Sequence, residues 1–64
     1  MNELKIEFSK ESYMCFKTEE KSVGRAFDRW LEACDNAGWN IDNMMVTKVV
    51  LRDDNGNDID EMKL

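Results

Sequence analysis

The chain contains no histidine and no proline, and it has only two cysteines and three glycines among its 64 residues. Without histidine, acid or base catalysis would depend on Asp, Glu, Lys, Tyr or Cys, and a cysteine nucleophile would lack its usual imidazole activator. The cysteines form no Cys-x-x-Cys pair, and the isolated glycines form no phosphate-binding loop. We therefore expect a protein that is not an enzyme and that uses no cofactor or metal.

Long apolar runs and a balance of charge are also missing. No segment approaches the roughly 20 apolar residues of a membrane span, and the first residues do not resemble a secretory signal. Fourteen acidic residues against nine basic ones give a formal net charge of −5, which repels nucleic acid and anionic membranes. We expect a cytoplasmic protein that binds neither nucleic acid nor membranes directly and has no small-molecule substrate.

Hydrophobic residues nevertheless make up 42% of the chain and include two Trp and three Phe. This content is sufficient for a compact core and argues against disorder. A chain of this length has room for one core. We expect a single small domain over residues 1–64.

The strongest pattern is an apolar stripe at three- and four-residue steps: Val23, Ala26, Phe27, Trp30, Leu31, Cys34 and Ala37. At about 100° per residue these positions share one helix face, which predicts an amphipathic helix over residues 19–37. Thr18 is the expected N-cap and Ser22 the alternative. Gly38 favours a left-handed ending that returns Trp39 onto the helix in a Schellman motif. Trp39 is then either a structural residue or an exposed anchor at an interface.

Two strands are predicted before the helix. Leu4, Ile6 and Phe8 alternate with charged residues, as in a strand with one buried face. After a short polar turn, an aromatic-rich segment returns as the second strand of a hairpin. We prefer Met14 and Phe16 as its core-facing residues, because the opposite register would expose Phe16.

Two further strands are predicted after the helix. Alternation over residues 45–52 indicates the longest strand, and the pair Asn55 and Gly56 favours a two-residue type I′ turn. The returning strand then places Asp60 opposite Leu51, and either a bulge near Asp60 or partial exposure of Ile59 is expected.

These elements predict an α+β fold of the ββαββ type, with one amphipathic helix on a four-stranded, mainly antiparallel sheet. Placing the first strand beside the third makes every contact antiparallel, so we expect the strand order 2-1-3-4. Cys15 and Cys34 are expected to be core thiols in a reducing compartment, although the sequence leaves a disulfide open.

Two surfaces are candidates for function. The sheet face opposite the helix would present apolar residues for a protein partner or a second copy of the chain: Tyr13, Val46, Val50 and Ile59. The alternative is a carboxylate cluster that imitates DNA toward a nucleic-acid-binding protein: Asp53, Asp54, Asp58, Asp60 and Glu61. As a calcium loop this segment fails, because Asp58 and Leu64 occupy the positions that need Gly and Glu.

The main hypothesis is a non-catalytic interaction module or accessory protein that is able to self-associate. The alternative is that these apolar residues are scattered singly over the surface and need no partner. In size, acidity and hairpin–helix–hairpin order the chain is similar to many short bacterial, phage and mobile-element proteins. This similarity of style contributes no functional residue.

Overall fold

The computed structural model describes residues 1–39 and 45–64. Its elements are β1 (Asn2–Phe8), a 3-10 turn (Ser9–Glu11), β2 (Tyr13–Thr18), α1 (Val23–Asn36), β3 (Val46–Arg52) and β4 (Asp58–Lys63). The strands form one antiparallel sheet in the order β2-β1-β3-β4. The predicted ββαββ fold and strand order are confirmed.

The core lies between α1 and one face of the sheet. The buried apolar side chains are Leu4, Ile6, Val23, Ala26, Trp30, Cys34, Val49 and Leu51. Trp30 is the buried aromatic residue of this core, with its ring centroid 5.8 Å from Phe27 and 6.2 Å from Phe8. Met14 and Phe16 pack at the margin of this core, as predicted. Ala37, the last residue of the predicted stripe, is exposed.

The helix begins later than predicted. Ser22, the alternative candidate, is the N-cap, and its side chain makes no capping hydrogen bond. The Thr18 hydroxyl instead accepts a hydrogen bond from the amide of Glu20 at 3.1 Å. The Asn2 side-chain amide donates to the Glu20 carbonyl at 3.0 Å. The segment before α1 is therefore tied to β1, and it does not join the helix.

The helix ends in the predicted Schellman motif. Gly38 has a φ of +76°, and its amide donates to the Asp35 carbonyl at 3.1 Å. The amide of Trp39 donates to the Cys34 carbonyl at 2.9 Å. These bonds return Trp39 toward the last turn of α1.

Both hairpins use a three-residue loop of the same geometry. The residues that flank the loop are joined by amide-to-carbonyl bonds, from Phe8 to Ser12 at 2.8 Å and from Asp53 to Asn57 at 2.9 Å. The third loop residue is left-handed in each case, with φ values of +64° at Glu11 and +83° at Gly56.

The predicted two-residue type I′ turn between β3 and β4 is therefore wrong. Asp53 decides the geometry, because its Oδ1 accepts hydrogen bonds from the amides of Asn55 and Asn57, both at 2.9 Å. The Asp53 carbonyl accepts a further bond from Gly56 at 3.1 Å. These bonds close a three-residue loop, in which Asn55 has no positive φ.

The predicted register of β3 and β4 is nevertheless confirmed. Leu51 pairs with Asp60 and Val49 with Met62. The observed loop is one residue longer than the predicted loop. A bulge between Leu51 and Arg52 compensates for this extra residue, so the pairing beyond it is as predicted. In the part of the chain that the structure describes, no helix is long and apolar enough to cross a membrane.

Candidate interaction surfaces

The sheet face opposite α1, here called the open face, is mainly charged. Strand registers place twelve residues on it: Glu3, Lys5, Glu7, Tyr13, Cys15, Lys17, Lys48, Val50, Arg52, Asp58, Glu61 and Lys63. Lys17 Nζ lies 3.2 Å from Glu3 Oε2, and Lys48 Nζ lies 3.3 Å from Glu61 Oε2. The open face therefore has the character of a solvated surface with cross-strand ion pairs.

The predicted apolar patch does not form on this face. Val46 is a correction: a bulge between Glu7 and Phe8 pairs Val46 with Phe8, so it packs against the core on the helix side. Val50 does lie on the open face, but only 3% of it is exposed. Its cross-strand neighbours are Lys5 and Glu61, whose long side chains flank it.

The other two predicted apolar residues are exposed but far apart in the sheet. Tyr13 is 61% exposed on β2, and Ile59 is 49% exposed on β4. Because β2 and β4 are the opposite edges of the sheet, these side chains do not belong to one surface. Tyr13 also has a partner within the chain, since Lys5 Nζ lies 4.6 Å from its ring centroid.

The five acidic residues of the β3–β4 hairpin all have partners within the chain. Asp54 Oδ1 lies 2.7 Å from the terminal ammonium of Met1, and Asp58 Oδ1 lies 3.0 Å from Arg52 Nε. Glu61 pairs with Lys48, and Asp60 Oδ1 accepts a bond from the Glu61 amide at 3.0 Å. Three of the five carboxylates are therefore paired with a cation, and the other two, Asp53 and Asp60, accept hydrogen bonds from backbone amides.

Asp53 has a structural role in the loop. The backbone amide of Asn57, and with less effect that of Asn55, holds the pKa of the Asp53 carboxyl below its ordinary value. The charged form is favoured because it accepts these hydrogen bonds.

The two edges of the sheet differ in charge. β4 has the sequence DIDEMK, in which four of six residues are charged, and its pairing with β3 is bulged. β2 has the sequence YMCFKT, in which Lys17 is the one charged residue. Charges and bulges are the usual means by which edge strands avoid pairing with another chain. β4 is therefore protected against pairing with a strand of another chain, whereas β2 largely lacks such protection.

The outer edge of β2 has backbone groups that point away from the sheet. The amide of Phe8 donates to Ser12, and hydrogen-bonded pairs alternate along an antiparallel ladder. In the register of β1 and β2, the groups directed toward β1 then belong to Met14, Phe16 and Thr18. The groups directed outward belong to the remaining strand residues: Tyr13, Cys15 and Lys17. Within residues 1–39 and 45–64, no strand pairs with this edge.

An apolar groove runs beside the same edge. α1 lies more closely over β1, β3 and β4 than over β2, so the inner face of β2 is incompletely covered. The groove has a volume of about 210 Å³ and is lined by Met14, Cys15, Phe16, Trp30, Ala33, Cys34, Ala37 and Trp39. Met14 and Phe16 are half-buried, and Trp39 is 48% exposed. Trp39 is thus held by the helix ending and also forms part of an accessible apolar surface.

The two thiols are free and occupy different environments. Cys34 is buried in the core, as predicted, whereas Cys15 is exposed, which corrects the prediction of two core thiols. Cys15 faces outward because its register partner, Lys5, lies on the open face. Burial raises the pKa of the Cys34 thiol. Desolvation, with the nearby carboxylate of Glu3, raises the pKa of the Cys15 thiol.

Sequence reasoning did not identify the groove or the β2 edge as a site. The alternation in β2 predicts that the helix covers Met14 and Phe16. It does not indicate that Trp39 lies next to them. The contrast in charge between the two edge strands is visible in the sequence, and combined with the predicted strand order it points to β2. The lateral position of α1, which opens the groove, has no comparable signal.

Among the residues that the structure describes, no group of three His, Cys, Asp or Glu side chains is placed to hold a metal ion. Comparisons with protein-family models, curated proteins and solved structures found no match for this chain.

Proposed function

We propose that this protein is a non-catalytic interaction module of the cytoplasm, and that it binds a protein partner along β2. The observation that carries this proposal is the combination of two features on one edge. Outward-directed backbone groups of a nearly uncharged strand, with which no strand of residues 1–39 and 45–64 pairs, lie beside an apolar groove that contains Met14, Phe16 and Trp39.

This combination suits the addition of a strand from a partner. An extended segment that pairs with a sheet edge gains affinity from backbone hydrogen bonds and specificity from pockets for alternate side chains. Along β2, every second side chain of such a segment would face the groove. The side chains between them would lie beside Tyr13, Cys15 and Lys17 on the open face.

The chemistry of the described side chains favours binding over catalysis. Cys15 is the accessible nucleophile, and its raised pKa keeps it protonated at neutral pH. The carboxylates of the β3–β4 hairpin are engaged in ion pairs and in the loop. We propose no cofactor. An exposed free thiol is also typical of a reducing compartment, which supports the cytoplasmic assignment.

The same ion pairs count against the alternative of an acidic DNA mimic. A mimic needs carboxylates that are free to attract a basic surface, and exposed internal pairs reduce that field. The two functions respond differently to salt. Binding through the groove should change little between low and physiological ionic strength, whereas binding through carboxylates should weaken steeply.

The proposal is tested with a matched pair of substitutions, Met14→Glu and Met62→Glu. Both methionines are half-buried at the margin of the core, and they lie on opposite edge strands. We expect affinity capture with the wild-type and Met62→Glu proteins to retain a common partner that Met14→Glu loses. Circular dichroism verifies that both variants are folded. Loss of the partner with Met62→Glu and its retention with Met14→Glu would show that β2 is not the binding edge.

A further inference from the structure

We propose that the β2 edge is self-complementary and that two copies of this chain join there as a two-fold symmetric dimer, centred on Cys15. This inference rests on the proposed function of the β2 edge and names one partner for it. It follows from the outward backbone groups, the side chains on each face of β2 and the position of its single charge.

The backbone geometry permits this pairing. With the two-fold axis at Cys15, the residue pairs with Cys15 of the second copy, and Tyr13 pairs with Lys17. All three residues have outward-directed amides and carbonyls. Each such pair exchanges two backbone hydrogen bonds in an antiparallel ladder. The two four-stranded sheets would then form one continuous sheet with both helices on the same side.

The apolar side chains match in the same register. Met14 of one copy lies opposite Phe16 of the other, and this non-hydrogen-bonded pairing brings side chains closer together than the adjacent pairs do. Both residues face the groove. The two grooves would thus merge between the helices, and half-buried apolar surface on each copy would be covered by the same residues of the other.

Charge distinguishes this register from its closest competitor. Centring the axis on Phe16 would place the two Lys17 side chains as diagonal neighbours on one face, where like charges repel. Centring it on Cys15 separates them and places each Lys17 beside the Tyr13 ring of the other copy. Lys5 Nζ of the same chain lies over one side of the Tyr13 ring, at 4.6 Å from its centroid, so Lys17 of the other copy would approach the ring from the opposite side.

The opposite edge does not offer an equivalent dimer. Self-pairing of β4 would bring together Asp58, Asp60 and Glu61 from two copies, and the bulge at its pairing with β3 twists that edge. The β2 interface is short, so it buries less than the roughly 1,200 Å² of a standard stable interface. We therefore expect a reversible dimer whose population rises with concentration.

The first test measures the oligomeric state and the symmetry of the contact. Light scattering across a concentration series should show the mass rising from monomer to dimer. A short bismaleimide should cross-link the wild-type dimer, since Cys15 from each copy lies at the axis and Cys34 is buried. The Cys15→Ser variant should dimerise without forming the cross-link. A wild-type protein that stays monomeric at millimolar concentration, or a dimer that does not cross-link through Cys15, would overturn the proposal.

The second test determines the register by comparing two variants that place opposite charges at position 13. Tyr13→Lys places like charges opposite each other across the interface, whereas Tyr13→Glu places an acid opposite Lys17. Both variants lose the ring equally, so their ratio reports the pairing. We expect the dissociation constant of Tyr13→Lys to exceed that of Tyr13→Glu by about tenfold.

Folding effects largely cancel and cannot imitate this result. Within the chain, Tyr13 lies beside both Glu7 and Lys5, so a new charge of either sign meets one like and one opposite charge, and circular dichroism verifies that both variants fold equally. Equal dissociation constants for the two variants would refute the register. A monomeric wild type would leave the Met14→Glu capture experiment intact, because that experiment detects any partner on the β2 edge.

Discussion

Replacing Glu11 with glycine tests the loop geometry that the two hairpins share. Glu11 and Gly56 occupy the same third loop position, with φ values of +64° and +83°. One hairpin therefore has the residue that this conformation favours, and the other has a residue with a Cβ atom. We expect Glu11→Gly to stabilise the protein and Gly56→Ala to destabilise it.

The magnitudes follow from the backbone. The left-handed conformation costs an L-residue about 1–2 kcal/mol, and glycine at the same position loses about 0.4–1 kcal/mol more conformational entropy on folding. Glu11→Gly should therefore raise the free energy of unfolding by about 0.5–1 kcal/mol. Gly56→Ala should lower it by a similar amount, because a Cβ at Gly56 meets no atom within 4 Å and adds no steric cost.

Urea unfolding followed by tryptophan fluorescence measures both changes, since Trp30 is buried and reports loss of the core. For a domain of this size, 1 kcal/mol corresponds to about 4–8 °C in Tm. Glu11→Gln is the matched control, because it removes the charge and retains the Cβ, so we expect a change within about 0.5 kcal/mol. If Glu11→Gly and Glu11→Gln shift stability equally, backbone conformation is not the cause and the reasoning fails.

Three further predictions concern the core, the hairpin and the thiols. Trp30→Ala should cost about 3–5 kcal/mol, against a total stability of roughly 3–10 kcal/mol for a chain of this length, so circular dichroism should show a largely unfolded or marginal protein. Asp53→Asn should lower Tm at pH 7. The difference in Tm from the wild type should disappear as pH falls from about 4 through the lowered pKa of Asp53, because the wild-type carboxylate is then protonated and loses the same charge. An equal difference in Tm at pH 2 would contradict the stabilising role of the Asp53 charge. A thiol reagent should modify Cys15 in the native protein and Cys34 only after denaturation, and two reactive thiols in the native state would contradict the burial of Cys34.

Local patterns accounted for most of the secondary structure. The stripe from Val23 to Cys34 predicts the buried face of α1 because helical periodicity depends only on neighbours along the chain. The Schellman ending is equally local, since Gly38 supplies the left-handed residue and Trp39 the returning bond. The strand order followed from the preference for antiparallel neighbours once the helix was placed.

The predicted start of the helix and the predicted facing of Val46 are wrong because distant segments decide the local conformation at both places. The helix does not begin near Thr18, because Asn2 and Thr18 hold the preceding segment against β1. Val46 faces the core because a bulge in its pairing with β1 shifts the register by one residue, and such a shift exchanges the two faces of a strand. The apolar alternation of a single strand contains no signal for this bulge.

The sequence alone determined that the chain has a core and one amphipathic helix, and that one predicted strand, YMCFKT, is weakly charged while another, DIDEMK, is strongly charged. Only the tertiary structure decided which apolar residues remain accessible. α1 lies toward β1, β3 and β4, so Met14, Phe16 and Trp39 line a groove, while Val50 is buried on the face that was expected to be open. The physical reason is that side-chain periodicity assigns each residue to a face, whereas the position of one layer over another depends on how all the side chains between them pack.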